Sequence, residues 1–200
     1  MTLIGIALAS FSQITGINAV MYYAPEIFKA TGDGVQSALL QTILVGIVNI
    51  ISTVVAILYV DKLGRKLMLM IGAAGMAIFL ALIGVFFFTG MTKGYWVIVA
   101  ILGYVSFFGI SLGPLTFVVV AEIFPNRIRA KAISVAILCL WLSTFIVSLV
   151  FPALLKTFGG AYTFWLFMLL SVMAFLFIWK TVPETKGKTL EEIEKYWSNS

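Results

Sequence analysis

Histidine is absent, cysteine occurs once, as Cys139, and only 10% of the residues are charged. Without histidine the commonest acid–base catalyst is missing. With a single thiol, neither a His/Cys metal site nor an intrachain disulfide can form. Cys139 falls in the middle of an apolar run, where a thiol packs as a small, inert hydrophobe. The scarce charges avoid the middle of every apolar stretch, where a metal ion, a strongly anionic substrate or a proton relay normally leaves an ionisable residue. These absences argue against an enzyme, and no cofactor site is read in the chain.

What fills the sequence instead is hydrophobic length. Apolar residues make up 62% of the chain and the mean hydropathy is +1.12. Six apolar stretches are read at about 2–28, 36–60, 67–89, 95–121, 132–155 and 161–180, each of twenty residues or more. A helix of that length crosses a ~30 Å hydrocarbon core at ~1.5 Å per residue. In lipid every backbone polar group must be satisfied within its own segment, so each stretch is expected to be helical. The expected fold is an all-α membrane protein: a six-helix bundle over residues 1–180 and a cytoplasmic tail over 181–200.

The net charge of +5 makes no case for nucleic acid, because its distribution follows the membrane. Lys62, Arg65, Lys66, Arg127, Arg129, Lys131, Lys180, Lys186, Lys188 and Lys195 fall on one side of the six spans, and Lys29, Lys93 and Lys156 on the other. The positive-inside rule makes the richer side cytoplasmic, with both termini there and the protein multi-pass in the inner (plasma) membrane. No cleavable signal is read, since no basic region precedes the first span. Met1 opens almost directly into that span, which reads as a truncated start.

The spans fall into two triplets, roughly 1–94 and 95–200, and in each the first span is interrupted. Gly16 and Asn18 stand in the middle of the first span, with Pro25 near its end; the fourth has Gly109, Gly113-Pro114 and then Pro125. Three spans followed by three more have opposite orientations, so the expected plan is two inverted three-helix repeats. Interrupted helices at matching positions of such repeats point to a transporter binding site. Glycine and proline are also simply commoner in membrane helices. Gly109 and Gly113 form a GxxxG that equally serves close helix packing.

Polar residues inside the spans lie on faces. Thr42, Gly46, Asn49 and Thr53 share one face of the second span, and Ser134, Trp141, Thr144 and Ser148 one face of the fifth. Gln13 and Asn18 lie about 140° apart on an ideal helix. They reach one cavity only if the chain unwinds near Gly16. Serine and threonine can simply bond back to their own helices. Gln13, Asn18 and Asn49 offer donors and acceptors together, which suits a ligand built of hydroxyl groups, and the neutral, polar and aromatic cavity they imply fits an uncharged solute.

Charged motifs close the spans on the basic side. Residues 61–66 (DKLGRK) make a very tight turn, residues 122–129 (EIFPNRIR) end the fourth span, and residues 182–187 (VPETKG) follow the sixth. Thr189 and Glu192 form a capping box for a short amphipathic helix in the tail. The charges read either as a latch that holds one conformation or as plain topology determinants.

Taken together, residues 13–23 (QITGINAVMYY), 61–66, Gly113-Pro114, 122–129 and 183–187 (PETKG) resemble the carboxy-terminal half of a sugar porter of the major facilitator superfamily. The closest likeness is to the bacterial proton-coupled xylose transporters, with the mammalian glucose facilitators further off. The resemblance covers essentially the whole chain. It implies six helices of a twelve-helix transporter whose amino-terminal six-helix half is missing here, a small neutral sugar as partner, and protons where transport is coupled. It further implies that Gln13, Asn18 and Asn49 bond sugar hydroxyls, with Phe117 and Trp141 lining the site. Tyr22 and Tyr23 match an extracellular gate, and Asp61, Arg65, Glu122, Arg129 and Glu184 an intracellular charge network. The chain departs from the family pattern at Ser12, where glutamine is usual, at Phe117, where tryptophan is usual, and at Leu140, often an amide. Which sugar is carried is therefore left open. The rival reading is a transporter-like sugar receptor or regulatory fragment, for which some twenty residues after Lys180 leave little room for an output domain.

Overall fold

A computed structural model describes residues 2–30, 35–92, 95–124 and 128–187. The described residues are almost entirely helical. The elements are α1 (Thr2–Ile14), α2 (Ile17–Ala30), α3 (Val35–Leu63), α4 (Arg65–Thr89), α5 (Trp96–Gly109), α6 (Leu112–Ile123) and α7 (Arg129–Thr181). Among them are five helical stretches long and apolar enough to cross a membrane.

Each departure from a simple span has a local cause. The expected first span is two helices, α1 and α2, parted at Thr15 and Gly16, where Gly16 adopts φ +93°. The fourth is also two, α5 and α6, parted at Ile110 and Ser111, directly after the expected Gly109 and ahead of Gly113-Pro114. Pro114 occupies the third position of α6, inside the first turn, where a missing N–H costs no intrahelical bond. The stretches expected at 132–155 and 161–180 form the single run α7, with one non-helical residue inside it, Gly159 (φ 79°, ψ 172°). Residues 129–158 and 160–181 are thus two helical segments joined at one glycine corner, with Lys156 still helical where a loop was expected.

The helices interlock across the chain. α7 packs against α1 and α4, and α5 against α3 and α4; α6 lies on α1 and α2 on α3. The fully buried side chains include Leu69, Met76, Leu80 and Ile83 of α4, Ile101 and Tyr104 of α5, and Phe151 and Phe164 of α7. Large apolar residues such as Ile43, Ile47, Ile50 and Ile57 of α3 are left exposed. In hydrocarbon such a face costs nothing, and association comes from close packing of the buried faces instead.

Candidate functional site

Four hydrogen bonds and one close approach shape the break between α1 and α2. At Gly16 both the positive φ and the space require glycine: a Cβ there would come to 2.8 Å from the Phe167 ring. The Gly16 N–H bonds Gln13 O at 3.0 Å, a tight last turn. The Thr15 carbonyl, freed by the break, accepts the hydroxyl of the fully buried Tyr104 at 3.0 Å. The result brings together two side chains that an unbroken helix would separate: Asn18 donates from Nδ2 to Gln13 Oε1 at 2.6 Å. The same oxygen accepts the Thr144 hydroxyl of α7 at 3.1 Å. Gln13 is buried and Asn18 half-buried.

The other expected site residues stand on other helices. Asn49 of α3 lies beside Gly109 at the end of α5, where an added Cβ would come to 3.1 Å from Asn49 Oδ1 and 2.7 Å from Ser52 Cβ. Glycine thus lets α5 approach the Asn49 face. Phe117 on α6 and Trp141 on α7 leave half or more of their surface exposed. The tyrosine pair divides: Tyr22 is exposed, whereas Tyr23 packs on Phe151 with ring centroids 5.3 Å apart. Neutral amides, hydroxyls and aromatic faces of this kind bind polyhydroxylated solutes by hydrogen bonding and stacking.

At the end of the bundle where α3 meets α4, a cluster of charges gathers around Arg65. Its guanidinium meets Glu122 Oε1 at 3.1 and 3.3 Å, through Nη2 and Nε, and Asp61 at 2.9 Å. The Asp61 side chain is 79% exposed. Water screens that pair, so it contributes only about 0–1 kcal/mol. Glu184 joins through the backbone. Its two oxygens accept the N–H groups of Arg65 and Lys66 at 3.0 and 3.1 Å, capping the first turn of α4 from 119 residues away. Gly64 (φ +92°) makes room, since a Cβ there would sit 2.7 Å from Glu184 Oε2. Thr185 donates to Glu122 Oε2 at 2.5 Å, so the Glu122 carboxylate is held from both sides. Arg129 stands apart from the expected network. Its Nε donates to Phe124 O at 3.2 Å and its Nη2 is buried without a partner, with no carboxylate on it among the described residues.

Four contributors were not singled out from sequence. Ser12, whose oxygen accepts the Gln13 Nε2 N–H at 3.2 Å, reads from sequence only as a departure from the family pattern, Thr144 only as a member of a polar stripe and Thr185 only within its motif. Tyr104, one phenol in an apolar run, gives no signal at all.

A family model described as sugar (and other) transporter matches residues 1–197. This chain belongs to that family. Among its sugar transporter relatives, the arabinose-proton symporter of Bacillus subtilis is 47% identical over 194 residues, 97% of this chain and 42% of the relative. The D-xylose-proton symporter of Escherichia coli is 46% identical over 200 residues, 97% of this chain and 40% of the relative. The structure of a major facilitator superfamily proton:xylose symporter bound to 6-bromo-6-deoxy-D-glucose superposes with a TM-score of 0.90 at 46% identity, covering 98% of this chain and 42% of that one. The chain spans about two-fifths of the length of the curated relatives it matches. Those relatives are transporters, not enzymes.

Proposed function

We propose that this chain is the carboxy-terminal half of a sugar porter, moving a small neutral sugar across the membrane by alternating access together with an amino-terminal six-helix half. The observation that carries this reading is the amide pair Gln13–Asn18, joined at 2.6 Å across a helix break, in a chain of the sugar transporter family. Asn49, Phe117 and Trp141 complete the sugar-facing surface, Tyr22 and Tyr23 the extracellular gate. A pentose such as xylose or arabinose is the first candidate, and protons the coupling ion, because the similar symporters are named for these.

The fold that goes with this function is six spans in two inverted triplets, with residues 129–158 and 160–181 as the fifth and sixth. Packing supports it: α1 of the first triplet pairs with α7 of the second, and α5 of the second with α3 of the first. Asp61, Arg65, Glu122, Arg129 and Glu184 face the cytoplasm, and both termini are cytoplasmic in the inner membrane. The tail helix read at 189–192 lies outside the described residues. Reconstituted full-length protein in proteoliposomes tests the reading. Saturable uptake of D-xylose or L-arabinose that responds to a proton gradient is expected, and no uptake of any aldose refutes it.

A further inference from the structure

An amide has two unlike ends, and the end turned toward a neighbour decides what remains for a ligand. At Gln13 a one-way chain of donors fixes that choice. Ser12 donates its single hydroxyl proton to Ala9 O at 2.7 Å. Its oxygen is then an acceptor, and takes the Gln13 Nε2 N–H at 3.2 Å. Gln13 Oε1 therefore lies on the opposite side, where two donors converge on it, Asn18 Nδ2 at 2.6 Å and the Thr144 hydroxyl at 3.1 Å. Turning the amide over would set its N–H group against the Asn18 Nδ2 donor and its oxygen against the Ser12 oxygen, whose proton is committed to Ala9 O. Thr144 has one alternative acceptor, Leu140 O at 3.1 Å, so its proton can be withdrawn from Gln13 without being stranded.

We infer that Ser12 and Thr144 are positioning residues that set the polarity of the Gln13–Asn18 pair, so that Gln13 meets the ligand as a hydrogen-bond donor and not as an acceptor. This rests on the proposed reading of Gln13 as a sugar contact. Both act through Gln13: Ser12 is 1% exposed, and the Thr144 hydroxyl is spent on Gln13 Oε1 and Leu140 O. With Oε1 already taken twice, the second Nε2 hydrogen is what Gln13 has left. Asn18 offers its own Oδ1 and second amide hydrogen. The sugar hydroxyl facing Gln13 is recognised through its oxygen, and its proton is not read there. The serine that departs from the family pattern thus acts on the amide next to it.

Monodeoxy and monodeoxyfluoro analogues of D-xylose separate the two roles, because fluorine accepts weakly and cannot donate, whereas hydrogen does neither. Calorimetric affinities are measured on the full-length protein and on Thr144→Val, Thr144→Ser and Ser12→Ala. In the parent, one ring position should tolerate fluorine about 2–5-fold better than hydrogen, part of the worth of one neutral hydrogen bond. Thr144→Val and Ser12→Ala should each bring that ratio close to one, and Thr144→Ser should keep it. Two variants on different helices, with thermal melts alongside, guard against misfolding of either. Intact binding with an unchanged ratio in both variants overturns this inference alone. No sugar binding by the parent overturns the transport reading and this inference with it.

Discussion

Replacing Tyr104 by phenylalanine removes one oxygen from the centre of the bundle and tests whether the break near Gly16 is held from outside. The ring keeps its place, so the cavity left behind is about one atom and packing changes little. What is lost is the 3.0 Å bond to the Thr15 carbonyl, at a site with no exposed surface. A buried carbonyl left without a donor costs about 1–3 kcal/mol. The chain can meet that cost in two ways. It can keep the break and lose stability, or it can wind residues 15–18 toward regular helix and satisfy the carbonyl internally. The second route swings Asn18 away from Gln13, toward the ~140° separation of an unbroken helix, and breaks their 2.6 Å bond. Full-length Tyr104→Phe should therefore unfold at lower temperature, bind D-xylose about 5–150-fold more weakly, or divide the loss between the two. Calorimetry and thermal melts on the same sample measure both. Tyr95→Phe, on an exposed ring, is the control. If Tyr104→Phe matches the control in both measurements, the break is maintained by Gly16 alone and the phenol is packing.

Gln13→Ala and Asn49→Ala in the full-length protein should each weaken sugar binding by about 1–3 kcal/mol, read by calorimetry against Lys156→Ala. Equal affinity in all three removes both amides from the site. Arg65→Glu and Glu122→Arg should each shift the balance between inward-open and outward-open states more than the affinity, and the double exchange should restore part of the transport, scored by cysteine labelling from the inner side. Simple additive losses with unchanged labelling reduce the pair to a topology signal. Glu184→Ala should speed amide hydrogen exchange at Arg65 and Lys66, whereas protection equal to the parent means that water caps α4 just as well. The 200-residue chain reconstituted alone should show no saturable sugar uptake, and uptake by it would mean that two copies assemble into a working pore.

Most of the helices were legible because hydropathy and length decide them, and lipid leaves the backbone no alternative. The break at Gly16 was legible too, since Gln13 and Asn18 cannot share a cavity on a regular helix. The second break falls between two of the expected interruptions. α5 ends at Gly109 and the chain bends at Ile110 and Ser111, while Pro114 fits the first turn of α6. The expected loop around Lys156 shrank to Gly159: the helix runs on through Pro152 and Lys156, and only Gly159 leaves helical φ/ψ. Long-range partners were illegible for a plainer reason. Thr144 lies 131 residues from Gln13, Tyr104 lies 89 from Thr15, and no periodicity connects them. Arg129 has the right charge for the network, but its Nε donates to Phe124 O, and no carboxylate among the described residues meets it.

The bond between Glu184 and the start of α4 has a mechanical consequence. A carboxylate that follows the last helix is fastened to two amides that begin the third span, and its neighbour Thr185 is fastened to the acid that ends the fourth. The half-bundle is thus tied like a sheaf near one end, through residues drawn from both triplets. Spreading that end apart would break these bonds, whereas Tyr22 and Tyr23 lie on the far side of the break. In the proposed reading, a sugar held by Gln13 and Asn18 would close on helices whose opposite end these bonds already tie.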